Sequence, residues 1–309
     1  MKRLRQFIPI AIALVLFVLA VGAITEEFKH YTFAELVASF NSIPTTNKFE
    51  SIVLMVLGYL SMAGYDLLGF HYIDRWISLG RIVQTSFISY ALGNTIGMTI
   101  FSGTAIRYRF YSPAGVGTMD IARVIGFTHF SFWLGMLGLG GVVYLFDPLD
   151  VPKLLRLPFE TARPVGAIFL GILVVYFFLA AFVKKPLRIA NEEFSLPSLP
   201  LSIGLIVVSF VDWALAAGVL YVLLPDHYPM SFMAFFALYV FAMTAGVISN
   251  VPGGAGVFEL IMLKLRPETV SQPDLLGALI AYRGVYYLLP LLVAVTLLIG
   301  YEIQRKTRN

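Results

Sequence analysis

The chain has 309 residues, 59% of them apolar and only 13% charged, with a mean hydropathy of +0.83. Soluble domains carry roughly 25% charged residues and cannot enclose this much apolar surface, so the excess must face lipid. Cysteine is absent, which excludes disulfides, thiolate metal centres and a Cys nucleophile; the net charge of +4 comes from basic residues scattered near the ends of apolar stretches, which orients a membrane protein and gives no reason to expect a nucleic-acid partner.

Hydropathy predicts apolar helices at 8–24, 51–73, 82–104, 120–146, 164–183, 201–224, 230–250 and 274–300, each near the roughly 20 residues that cross a hydrocarbon core. The first follows Lys2, Arg3 and Arg5 and reads as a spanning helix with its basic end in the cytoplasm, a cleaved signal peptide ending near Val21-Gly22-Ala23 being the alternative. The second contains Asp66; the third is interrupted at Ser102-Gly103-Thr104-Ala105 and followed by Arg107 and Arg109. After the spans at 120–146 and 164–183 comes the basic segment Lys184-Lys185-Arg188, and then a span holding Asp212. The seventh runs into Pro252-Gly253-Gly254-Ala255-Gly256 and Glu259, and the last carries Tyr282, Arg283 and Tyr286. The polar stretches 25–50 and 184–200 are too short for domains, so residues 1–309 form one polytopic, all-α membrane domain.

Its halves look alike, about 1–150 and 160–309. Tyr65-Asp66-Leu67 is followed 146 positions later by Val211-Asp212-Trp213, and Thr95-Ile96-Gly97 recurs 149 positions later as Thr244-Ala245-Gly246. A small-residue break and a charge then follow in each half, Arg107 in one and Glu259 in the other. This ordered set suggests a duplication. The N-terminus, the loop with Arg75 and Arg81, the Lys184 segment and the tail Arg305-Lys306-Arg308 all claim the cytoplasm, which eight full crossings cannot satisfy. Six full spans can, with 82–111 and 230–266 entering and leaving on the same side as broken, re-entrant helix pairs. The repeats are then inverted and both termini cytoplasmic, although Lys264 and Arg266 would lie towards the outer face.

A charge in mid-span costs roughly 2.5–3.5 kcal/mol on insertion scales and therefore needs an explanation. Asp66, Arg107, Arg109, Asp212, Glu259 and Arg283 are such residues. Either they serve a transport path, or they pair with one another, Asp66 with Arg107 and Glu259 with Arg283, and hold the bundle together. The Pro-Gly-Gly segment ends one helix and restarts another, aiming amides into the membrane where they favour an anion such as a lipid phosphate. Arg283 flanked by Tyr282 and Tyr286 suits the same group. Gly93 and Gly97 read as helix packing. His71, His129 and His227 show no ligand spacing, and the absence of HExxH, GxxxxGK[ST] and GxSxG leaves hydrolysis and ATP use without machinery, so no enzyme, metal or cofactor is expected.

At Gly103-Thr104-Ala105-Ile106-Arg107, Asn250-Val251-Pro252-Gly253-Gly254, Gly256-Val257-Phe258-Glu259 and Tyr282-Arg283 with Tyr286-Tyr287, the chain resembles the flippase region of the lysylphosphatidylglycerol synthetase/flippase family. The resemblance implies movement of an anionic or aminoacylated phospholipid between the leaflets of the cell membrane. It also implies roles for Asp66, Arg107 and Glu259. Bifunctional members continue into an aminoacyl-transferase domain, whereas this sequence ends at Asn309, so synthesis is expected of a separate lipid synthase and the lipid is unspecified. Rival readings are a non-transporting scaffold for such a synthase, a carrier of an isoprenoid-type lipid, and a small-solute transporter. A homodimer is compatible with any of them.

Overall fold

The computed structural model describes residues 33–96, 99–146, 161–183, 187–189, 192–248 and 256–308. The expected first span, 8–24, lies outside them, as do Gly253 and Gly254. The described helices are α1 (Phe33–Ser42), α2 (Thr45–Tyr72), α3 (Leu79–Ile96), α4 (Thr99–Tyr111), α5 (Thr118–Phe146), α6 (Arg163–Phe182), α7 (Leu199–Leu223), α8 (Phe232–Ile248), α9 (Val257–Lys264), α10 (Gln272–Tyr282) and α11 (Leu289–Arg308). A six-residue π-helical segment, Arg283–Leu288, joins the last two. Two three-residue strands, β1 (Leu187–Ile189) and β2 (Glu192–Phe194), pair antiparallel within the polar stretch 184–200. Likewise α1, which packs against α10, falls in the polar segment 25–50.

Five of these helical stretches are long and apolar enough to cross a membrane: α2, α5, α6, α7 and the run Gln272–Arg305 through the π segment. They coincide with five of the six full spans expected, and the fold is that of an all-α, multi-pass membrane protein. The last run has 34 residues, about 51 Å at 1.5 Å per residue, which exceeds the hydrocarbon thickness. The apolar stretch 82–104 is divided between α3 and α4, which pack against each other so that Gly103 lies opposite Ser89. With two residues between them, they form a helical hairpin. In the second half α8 and α9 also fold back, bringing the rings of Tyr239 and Phe258 to 5.6 Å.

The centre of the bundle is the contact between α2 and α7. Asn47 Nδ2 donates to the Val222 carbonyl at 2.9 Å, Gly58 lies against Leu215, Gly64 against Val208, and Gly204 against Leu68. Rising positions on one helix thus meet falling positions on the other, and the two run antiparallel. Glycines carry this contact because lipid supplies no hydrophobic drive between helices; close backbone approach and dispersion must replace it. Helix α5 joins at Gly135, where an added Cβ would stand 2.3 Å from Ser209 Oγ. Through Gly141 and Gly166 the same helix packs on α6, whose remaining surface is exposed at Ile168, Val174, Phe178 and Phe182, a circumference suited to lipid.

Candidate functional site

Among the described residues, each half of the chain encloses one buried ion pair. In the first, Asp66 near the end of α2 is fully buried and Arg107 on α4 is 1% exposed. Arg107 donates from Nε to Asp66 Oδ1 at 2.7 Å and from Nη2 to Oδ2 at 2.8 Å. Tyr111, one turn after Arg107, donates to Oδ1 at 2.9 Å, and Ser86 on α3 donates to Oδ2 at 2.9 Å. The carboxylate therefore receives four hydrogen bonds, a degree of satisfaction that a buried charge requires. The guanidinium lies over the Tyr90 ring, 4.9 Å from its centroid. Gly103 leaves it room: a Cβ there would come within 2.9 Å of Arg107 Nη1.

In the second half, Glu259 in the first turn of α9 pairs with Arg283 at the start of the π segment, Arg283 Nε donating to Oε1 at 2.7 Å with Nη2 2.6 Å from the same oxygen. Both residues are buried. The other carboxylate oxygen accepts from the Gly256 amide at 3.0 Å, so Glu259 caps its own helix, where a carboxylate is favoured by the aligned peptide dipoles. The chain itself supplies an anion to this helix start, a place where the sequence suggests an anion such as a lipid phosphate. Gly256 has φ +81°, a conformation open to glycine and costly for other residues. Arg283 also lies over Tyr287 at 4.5 Å and Phe258 at 5.8 Å.

Between the pairs stands Asp212, midway along α7 and 7% exposed. Its Oδ2 accepts from the Tyr65 hydroxyl at 3.1 Å, and among the described residues no group bonds Oδ1. Tyr282 and Tyr239 join their hydroxyls at 2.7 Å. Tyr286 stacks on Tyr282 with ring centroids 5.3 Å apart, and its carbonyl accepts from the Tyr59 hydroxyl at 3.0 Å. The π segment widens the helical ladder, and α2 supplies a side-chain donor to a carbonyl within it; π segments recur at functional positions. Arg109 is placed apart from this interior, in a bidentate pair with Glu302 between α4 and α11, where it is 36% exposed.

The structure thus brings Asp66 to Arg107 and Glu259 to Arg283, as the pairing alternative in the sequence foresaw. It adds Ser86, Tyr90 and Tyr111 around the first pair, and Tyr59, Tyr65 and Tyr239 around the centre. Spacing carried a signal for some of these: Ser86 and Tyr90 are four residues apart, as are Arg107 and Tyr111, and i,i+4 residues share a helix face.

Over residues 6–294 the chain matches the family described as lysylphosphatidylglycerol synthase TM region. It is 40% identical over 310 residues to the uncharacterized protein slr0712 of Synechocystis, covering 100% of this chain and 96% of that one. To the inner membrane protein YbhN of Escherichia coli it is 31% identical over 261 residues, 83% and 80% of the two chains. The phosphatidylglycerol lysyltransferase of Staphylococcus aureus (strain MSSA476) is 28% identical over 309 residues, which are 96% of this chain but 34% of that protein, so this likeness concerns about a third of the lysyltransferase. With the family match extending across nearly all of its length, the chain belongs to the lysylphosphatidylglycerol synthase TM-region family.

Proposed function

We propose that this protein moves an anionic or aminoacylated phospholipid between the leaflets of the cytoplasmic membrane and does so as two inverted repeats. The observation that carries the reading is the relation of α2 to α7. Asp66 and Asp212 stand 146 positions apart in corresponding spans, and those spans run antiparallel. They meet where Tyr65 reaches Ser209 and Asp212, within two residues of Val211, the counterpart of Tyr65. Equivalent helices crossing at equivalent residues are what a two-fold axis in the membrane plane requires, and this is an architecture of alternating-access carriers. Each span is followed by a hairpin, α3–α4 or α8–α9, which in this reading enters and leaves on one side of the membrane.

In this mechanism the termini are cytoplasmic and the lipid head passes the interior while its tails stay beside the bundle. The ion pairs open in turn, Arg107 or Arg283 meeting the phosphate and Asp66 or Glu259 an ammonium where the head group carries one. Rocking of the halves about α2 and α7 transfers the head. Purified protein in liposomes with fluorescent phosphatidylglycerol is the test. Movement faster than in protein-free liposomes, and its loss in Asp66→Asn, Arg107→Ala and Glu259→Gln, supports the reading; wild-type rates in all three variants refute the assignment.

A second reading rests on the completeness of the pairs. Four hydrogen bonds on Asp66 make a self-contained structural lock, as expected of a scaffold that holds a separate lipid synthase. Purified protein that moves no lipid while binding such an enzyme stoichiometrically supports this alternative.

A further inference from the structure

The two corresponding aspartates are treated unequally by the fold. Asp66 receives four hydrogen bonds, two of them from a guanidinium. Asp212 receives one, from Tyr65 to Oδ2, and its Oδ1 is buried without a partner among the described residues. Tyr65 from α2 bonds Asp212 directly, and the groups within electrostatic reach are likewise uncharged: Tyr59 from α2, Tyr90 from α3, Tyr239 from α8, and Tyr286 from the π segment. From α5, Gly135 packs on Ser209 and Phe132 on Trp213. No ion pair reaches Asp212 among the described residues.

We propose that Asp212 is a proton-binding site at the crossing of α2 and α7, separate from both ion pairs, and that its loading sets the contact between these helices. An ionised carboxylate buried without a counter-charge is strongly disfavoured; a proton on Oδ1 removes that charge and needs no cavity. A hard metal cation would call for about six oxygen ligands, whereas among the described residues only Asp212, Tyr65 and Ser209 converge here. The link to packing is the Tyr65 hydroxyl. Its oxygen lies 3.1 Å from both Ser209 Oγ and Asp212 Oδ2, and its single proton can serve one of them at a time. Ionised Asp212 holds that proton in a charge-assisted bond. When Asp212 takes up a proton from the aqueous phase the bond weakens and Tyr65 turns to Ser209, at the point where α5 presses on α7.

The site stands on this geometry alone; only its consequence for lipid movement rests on the transport reading. Infrared difference spectra of the full chain in nanodiscs, recorded between acid and alkaline pH, test it without measuring transport. The wild type should show a protonated-carboxyl band that disappears on the alkaline side. That band should be lost in Asp212→Asn, retained in Asp66→Asn and Glu259→Gln, and persist to more alkaline pH in Tyr65→Phe, which removes the bond to ionised Asp212. Amide hydrogen exchange in α2 and α7 should depend on pH in the wild type and lose that dependence in Asp212→Asn. A band that persists in Asp212→Asn, or is missing from the wild type, overturns the proposal. Should Asp212→Asn fail to fold, a band that disappears in Tyr65→Phe at the same pH as in the wild type overturns it equally.

Discussion

Replacing Arg107 by Leu should destabilise the protein far more than replacing Arg107 and Asp66 together. In the single variant Asp66 remains fully buried and keeps only the bonds from Tyr111 and Ser86. Neutral hydrogen bonds contribute about 0.5–1.5 kcal/mol each. The lost guanidinium supplied two charge-assisted bonds and the counter-charge, and opposite charges about 4 Å apart interact by about 4 kcal/mol at an effective dielectric near 20. Breaking the pair from one side should therefore cost about 3–5 kcal/mol, while Asp66→Leu with Arg107→Leu removes both charges and should recover most of that loss. Thermal unfolding of wild type, both single variants and the double variant in nanodiscs completes a double-mutant cycle. A single variant as stable as the double would show that Asp66 is not an uncompensated buried charge once Arg107 is gone, and the energetic reasoning would fail. Lipid movement in the double variant then separates the two functional readings: a stable but inactive protein favours transport through this pair.

The second pair offers a contrast by depth. Glu259→Gln leaves Arg283 buried without its counter-charge and should lower stability by about 3–5 kcal/mol, whereas Glu302→Gln breaks a pair whose arginine is 36% exposed and should cost about 1 kcal/mol or less; comparative melting curves check the ranking. Gly256→Ala places a Cβ on a residue with φ +81° and should cost about 1–3 kcal/mol, with faster amide exchange confined first to α9. Tyr59→Phe removes the donor to the Tyr286 carbonyl and should destabilise by about 1 kcal/mol, read as faster exchange in the π segment.

The sequence alone determined that this chain is a polytopic α-helical membrane protein, because a helix satisfies its own backbone within one segment and its apolar length can be counted along the chain. That is why five spans agree with their sequence bounds to within a few residues at most ends. It also marked Asp66, Arg107, Glu259 and Arg283, since a charge inside an apolar run is visible without knowing what surrounds it. The short helix α1 and the strand pair β1–β2 were missed because neither carries an apolar span signal. What surrounds the charges was decided only by tertiary structure. Arg107 lies 41 positions from Asp66 and Arg283 lies 24 from Glu259, and sequence alone, which leaned towards a transport path, did not decide between that and pairing. The π segment was likewise hidden: Arg283-Gly284-Val285-Tyr286-Tyr287-Leu288 is compatible with an ordinary helix, and it is drawn into its wider form amid contacts from α2 and α9. Nor did the sequence distinguish Asp212 from Asp66, two aspartates inside apolar spans; one meets an arginine and the other a tyrosine hydroxyl because the packing of neighbouring helices, rather than local sequence, sets the surroundings of a buried charge.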